Sequence, residues 1–328
     1  MLSEKLFKKV LIDPVNAGAD ELYIVSGYAT SAMAFHHLNS LKSELRKDVK
    51  VNLIIGMCVL DGLSESNHRG FKKIMEDDFK GRFTCSYITN TPPLHSKVYA
   101  WCKGKTPIAG FVGSPNYTQT AFYEKQRECL VGTNPAQCLK YFRSLTQDTI
   151  YCNHIDAESS IQIYPDSAFA RFKRPSKAKE ILATETPELK ISGVPYVKVP
   201  LLAKDGTLPE RSGLNWGQRP EEHRDPDQAY IRLPAEIYKT DFFPPVSLHF
   251  TVQTDDNKIL TCTRAQQNGK AIHTPHDNSL LGQYFRNRLG LAEGELVKKS
   301  HLLKYGRTDI DFYRIEDETY YMDFSKPS

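Results

Sequence analysis

Over its first 150 residues the chain alternates short apolar runs with helical spacings, and this alternation constrains the fold more than any other feature. Glu21 to Ser26 reads as a buried strand ending at Gly27, Ser31 to Leu45 as a helix, and Val49 to Gly56 as a second strand. Gly70 to Phe79 carries helical spacing and Phe83 to Ile88 forms a third strand. Pro92-Pro93 then breaks the chain before a fourth, Leu94 to Trp101. Ile108 to Val112 and Glu128 to Gly132 are further strands, and Pro135 to Leu145 is helical. A period of two interleaved with a period of 3.6 implies an α/β sheet covered by helices.

The pattern fades between Asp148 and Leu189, where Arg171 to Lys177 is basic and broken by Pro175. With 328 residues the chain has room for two domains. We expect one over 1–170, a linker over 171–189, and another over 190–328; the alternative is one domain with a long loop. Beyond Lys190 the texture is that of an antiparallel sheet or barrel. Tyr230 to Leu233, Ser247 to Gln253, Lys258 to Arg264 and Phe312 to Ile315 alternate, Asp255-Asp256-Asn257 forms a hairpin turn, and Leu280 to Leu289 is a short amphipathic helix.

No apolar run is long enough to span a bilayer, and Met1 to Pro14 lacks the apolar core and cleavage site of a signal peptide. The seven cysteines are odd in number and form no CxxC pair, so neither a disulfide framework nor a zinc ribbon is suggested and the reading is a reducing cytoplasm. The net charge of +4 is modest. Residues 190–328 hold 19 basic and 19 acidic side chains, so a nucleic-acid surface there has to be a local patch rather than a global field.

The chemistry-bearing residues are His95-Ser96-Lys97, then Gly113-Ser114-Pro115-Asn116, then Glu128. On a strand, His95 and Lys97 share one face. Ser114 and Asn116 follow at a strand-to-helix turn, where helix amides can face an anion. Cleaving a phosphodiester needs a nucleophile, neutralisation of the phosphoryl oxygens and a proton for the leaving oxygen. His95 can be nucleophile or acid, Lys97 supplies positive charge, and Ser114 and Asn116 supply neutral donors. Glu128 can accept from the second ring nitrogen of His95 and fix its tautomer. Glu124 is a rival for the acid; Glu128 is preferred because it opens the apolar strand Cys129 to Gly132. His36 and His37, on a helix, read as surface residues. Tyr28 either lines the site or packs.

This set resembles the phospholipase D superfamily, whose signature is HxK, then GSxN and a downstream acid. The resemblance covers about residues 1–150 and implies a phosphohistidine intermediate on His95, with Lys97 and Asn116 binding the phosphate and no metal. The longer superfamily motif places Asp five residues after the Lys. Cys102 stands there instead, which implies a nuclease-like branch rather than a lipid-cleaving one. The superfamily uses two motif copies. This chain has one, since His301 and Lys304 have the wrong spacing, and the implication is a homodimer in which two His95 residues meet across a twofold axis.

The second half carries Arg211, Asn215, Trp216, Gln218, Arg219, Arg224, Gln228 and Arg232, then Arg264, Gln266, Gln267, Asn268, Lys270, His273 and Thr274. Arg and Gln or Asn read base edges in the major groove, and two such arms beside a barrel could grip a duplex from two sides. Trp216 is either a DNA contact or a core anchor. About residues 190–325 resemble the B3-like pseudobarrel domain attached to phospholipase-D-type restriction endonucleases of the BfiI and NgoAVII kind. The resemblance rests on the stretch 211–228, Tyr230 to Pro234, Gly269 to Thr274 and Tyr284 to Leu291.

The expectation is therefore a metal-independent, type II-like restriction endonuclease from a restriction-modification system. Its partner is double-stranded DNA rather than a membrane, and the resemblance allows a separate ATP-driven, helicase-like subunit. Two other readings stay open: a phosphodiesterase acting on DNA ends or phospholipid, and a non-catalytic DNA-binding protein with a degenerate nuclease fold.

Overall fold

The computed structural model describes residues 1–43, 45–123, 125–166 and 194–326; the expected linker at 171–189 and the rival acid Glu124 lie outside them. The chain divides into two compact units. One is Met1–Ile163 with Ser247–Thr251 and Thr261–Thr263; the other is Tyr164–Val246, Val252–Leu260 and Arg264–Ser328. Among the described residues, no helix is long and apolar enough to cross a membrane.

The first unit is built on a seven-stranded mixed sheet. Its strands are β1 (Glu21–Ser26), β2 (Lys50–Ile55), β4 (Phe83–Ile88), β5 (Val98–Lys103), β6 (Thr106–Gly113), β7 (Leu130–Thr133) and β8 (Thr149–Tyr151), while β3 (Leu63–Ser64) pairs separately with β9 (Ile163–Tyr164). The order across the sheet is β7-β6-β5-β1-β2-β4-β8. β1, β2 and β4 run parallel, and β5, β6 and β7 add antiparallel. Alternation sorts the core as a pleated strand requires. Leu22, Ile24, Tyr99 and Trp101 face a cluster with Met33, Phe35 and Leu38 of the helix Ser31–Ser43. Val25, Val98, Ala100 and Cys102 face the other side, against Cys138, Leu139 and Phe142 of the helix Pro135–Leu145.

Several expected elements are displaced. The helix Ser31–Ser43 is enclosed on nearly all sides, so His36 and His37 are buried rather than at the surface. His37 engages both ring nitrogens, one with the Tyr117 hydroxyl at 2.9 Å and one with the Leu11 carbonyl at 3.1 Å. Burial then pushes its pKa down to about 4. The helix expected from Gly70 begins at Glu65 and continues through wider turns over Ile74–Asp78. β5 starts at Val98, not Leu94. Val98 pairs with Val25 and Val112, and His95 to Lys97 overhang the β1 side of that pair, while the Lys97 carbonyl still accepts from the Gly113 N–H at 3.3 Å. β7 starts at Leu130, which leaves Glu128 in the preceding loop.

The other seven-stranded sheet, most of it in the second unit, is nearly closed into a barrel, in the order β10-β15-β16-β12-β13-β14-β11. Its strands are β10 (Tyr196–Pro200), β11 (Ile231–Arg232), β12 (His249–Thr254), β13 (Ile259–Ala265), β14 (Ala271–His273), β15 (Asp309–Glu316) and β16 (Thr319–Asp323). β15 pairs antiparallel with both β10 and β16, and β11 with β14. The turn at 255–257 joins β12 to β13 as expected, and the helix Ser279–Leu289 is present, with a second helix at Lys299–Tyr305.

Candidate active site

The site forms at the carboxyl ends of the parallel strands β1 and β2, the usual mouth of an α/β sheet. Each strand ends in a glycine: Gly27 after β1 and Gly56 after β2. The overhanging segment lies against both. A Cβ on Gly27 would sit 2.7 Å from the His95 ring, and one on Gly56 would sit 2.0 Å from the Leu94 carbonyl oxygen. Only residues without a Cβ let His95 approach this closely.

His95 is exposed, with Nε2 3.0 Å from the Nζ of Lys97. Lys97 is buried and also donates to the His95 carbonyl at 2.7 Å. Burial lowers its pKa, with the Glu128 carboxylate acting in the opposite direction. Tyr28 stands edge-on to the His95 ring, with centroids 5.8 Å apart. Its hydroxyl donates to Asp61, and burial together with that carboxylate raises its pKa to about 12, so it stays protonated.

Asn116 accepts from the Tyr28 backbone N–H at 3.1 Å, which orients the side chain and leaves its –NH2 as a donor. The turn that carries Asn116 is fastened from below. Buried Ser26 accepts from the Tyr117 N–H at 2.9 Å and donates to the Tyr28 carbonyl at 2.6 Å, and Tyr99 donates to the Pro115 carbonyl at 2.8 Å. Sequence reasoning missed Ser26, although a polar residue closing an apolar strand is a usable signal.

Two expectations about this site are corrected. Glu128 does not meet His95: it accepts from the Ser114 hydroxyl, which itself accepts from the Cys129 N–H at 3.1 Å. The Ser114 proton therefore points at a carboxylate rather than toward the His95–Lys97 pair. The helix after Asn116 is one short turn, Gln119–Phe122, capped by Thr118, so its amides do not begin at the site. Cys102 is buried within the sheet core, on the face that packs against Cys138, Leu139 and Phe142.

The candidate reading residues divide sharply. Asn215 is fully buried, bonding Val297 through both backbone N–H and carbonyl and donating to the Pro209 carbonyl. Gln218 donates to the Pro226 and Gly294 carbonyls. Arg264 donates to the carbonyls of Tyr238, Pro244, Asn268 and Gly269, and Thr274 is buried on the Asp277 carbonyl. Asn215, Arg264 and Thr274 are buried on backbone partners and build the fold, whereas half-buried Gln218 commits its –NH2 to two carbonyls. Arg211 pairs with Glu221, Arg219 with Glu222, and Arg224 with Glu222. Arg224 also lies 4.3 Å over the Trp216 ring and faces the Gln228 amide. Gln267 and Lys270 are exposed, as is Arg232, and among the described residues their side chains bond nothing. Likewise, no group of three or more His, Cys, Asp or Glu could hold a metal ion among the described residues.

Comparison with known proteins adds a family. Residues 4–159 match the NgoFVII restriction endonuclease N-terminal PLD domain, and residues 189–316 match the NgoFVII C-terminal B3-like DNA-binding domain. Among solved structures, NucT from Helicobacter pylori is 19% identical, with 43% of this chain and 87% of that one covered at a TM-score of 0.31. A polyphosphate kinase from Porphyromonas gingivalis is 9% identical, with 46% of this chain and 23% of that one covered at a TM-score of 0.28. No curated protein sequence matches the chain.

Proposed function

The chain belongs to the NgoFVII restriction endonuclease family, with a phospholipase-D-type nuclease domain followed by a B3-like DNA-binding domain; from that premise we propose that it cuts double-stranded DNA through a covalent phosphohistidine on His95. The observation that carries the proposal is the 3.0 Å approach of Lys97 Nζ to His95 Nε2, beside an Asn116 amide with a free donor. A phosphate placed there meets a nucleophile, a cation and a neutral donor at once.

In the first step His95 Nε2 attacks phosphorus and the P–O bond to the leaving strand breaks. The leaving oxygen takes its proton from a second histidine. Water then attacks phosphorus, gives its proton to that second histidine, and the P–N bond breaks. Lys97 and Asn116 hold the phosphoryl oxygens throughout. Ser114 and Glu128 form a bonded pair that steadies the turn and sets the charge near Lys97. No step calls for a metal ion.

The second histidine is His95 of another copy of the chain, because the sequence carries one HxK motif. Val112 and Val131 pair across β6 and β7 next to Ser114 and Glu128, are 41% and 49% exposed, and offer apolar surface for such a dimer. The second unit supplies sequence preference, which makes the activity type II-like and suited to a restriction-modification system in the cytoplasm. A separate ATP-driven, helicase-like subunit is a further partner in this proposal.

The test is capture. Internally labelled DNA, quenched in base during cleavage, should leave acid-labile phosphate on His95, and His95→Ala should lose cleavage by on the order of 10^4-fold or more while still binding DNA. Cleavage by His95→Ala at the wild-type rate would falsify the mechanism. Full-rate cleavage by a monomer at high dilution would remove the dimer.

A further inference from the structure

The second unit contains a pocket of about 210 Å³, between the strand pair β11–β14 and the loop that follows β10. Leu201, Leu202 and Tyr230 supply apolar wall, and Arg232, Gln266 and Lys270 supply polar groups. Among the described residues, Arg232 and Lys270 have no ion-pair partner, whereas Arg211, Arg219 and Arg224 all do. Gln266 has φ +64 and ψ 171, a backbone conformation that is essentially reserved for glycine. The turn that strains it is clamped by Arg264, which bonds the carbonyls of Asn268 and Gly269 just beyond it. A backbone held in such a conformation fixes the direction in which the Gln266 side chain leaves the turn at the wall of the pocket, and its amide is uncommitted among the described residues.

We propose that this pocket takes one nucleobase turned out of the duplex, with Arg232 and Lys270 on the phosphates to either side and the Gln266 amide on the base edge. The proposal rests on the assignment of this unit to DNA. The size fits: an apolar cavity of about 150 Å³ accepts a benzene ring, and a base is one or two such rings with polar edges. A base that stays stacked presents only its edge to a groove and leaves a concavity of this volume unfilled. An extruded base meets apolar faces and a hydrogen-bonding group together, as in other sites that take a base out of the stack.

The full-length protein would first select its preferred duplex from a random pool. 2-Aminopurine is then placed at each position of that duplex in turn. We expect fluorescence to rise severalfold at one position on binding, and the rise to be lost in Leu202→Trp, which fills the pocket while leaving Arg232 and Lys270 in place. Gln266→Gly suits the backbone conformation, so it should keep the thermal stability and lose base preference at that same position. Binding of the selected duplex at full affinity with no position brightening overturns the pocket but leaves the DNA assignment intact. A response unchanged in both variants does the same. A pool that yields no preferred duplex overturns the DNA assignment itself, and the pocket with it.

Discussion

Lys97 and Arg264 are buried to the same degree, each 7% exposed, and they are held in opposite ways. Among the described residues, Lys97 in the nuclease unit bonds only His95, through the ring and the carbonyl, so its ammonium keeps donor capacity for a ligand. Arg264 in the second unit places its guanidinium on four carbonyls and keeps almost none. Burial lowers the pKa of both, yet only one has anything left to offer a phosphate. Spare hydrogen-bonding capacity, rather than charge or burial, is what separates a cation that acts from one that builds.

The largest expected effects test that separation directly. Lys97→Ala should lower the cleavage rate by about 10^3-fold, the usual cost of removing one preorganised charge from a reacting phosphate, while changing stability little. Arg264→Ala should do the reverse. It leaves buried carbonyls without partners, so it should cost about 3 kcal/mol of unfolding free energy in denaturant titration. If the first variant unfolds the protein or the second leaves its stability unchanged, the contrast fails.

A buried group with full satisfaction also exists in the nuclease unit, and pH exposes it. His37 is neutral in the fold, with a pKa near 4 against an ordinary value near 6.5. Between those values the unfolded chain binds a proton that the folded unit refuses, so stability falls as pH drops through that window. By about pH 4 the loss should reach about 3 kcal/mol. Urea unfolding followed from neutral pH downward measures it, and a stability flat across the window would show that His37 is charged inside the fold.

Next in size is Gly27→Ala. The added methyl would meet the His95 ring at 2.7 Å and displace the nucleophile, so cleavage should fall by about 10^2-fold with DNA affinity intact. A variant that cleaves normally would show that His95 need not lie against β1.

What was legible in the sequence follows the same line. That His95, Lys97 and Asn116 come together was readable because it depends on short spacings along one segment and one turn. The partner of Glu128 was not, since Glu128 lies in the loop two residues before β7 and gives its carboxylate to Ser114. His36 and His37 were misplaced because a helix reads as half-exposed until the elements that enclose it are known. The arm at 211–228 was legible in composition, but the pairing of its arginines was not foreseen. Its acids were in plain view: Glu221 and Glu222 sit among the arginines they neutralise, and equal numbers of the two charges over 190–328 already argued for pairing.

The smallest predicted effect separates the two kinds of arm residue in the second unit. Lys270 is exposed and unpaired among the described residues, so its ammonium can replace a counterion on DNA. Lys270→Ala should weaken binding by about tenfold and reduce the slope of log affinity against log salt by about one. Arg219 is tied to Glu222 and to the Arg211 carbonyl, so removing it also releases a carboxylate. Arg219→Ala should therefore change the salt slope less than Lys270→Ala, although both remove one positive charge. Equal slopes for the two variants would mean that DNA breaks the Arg219–Glu222 pair on binding. The arm would then join the reading surface, and the rule drawn from Lys97 and Arg264 would hold only for cations whose partners are backbone carbonyls.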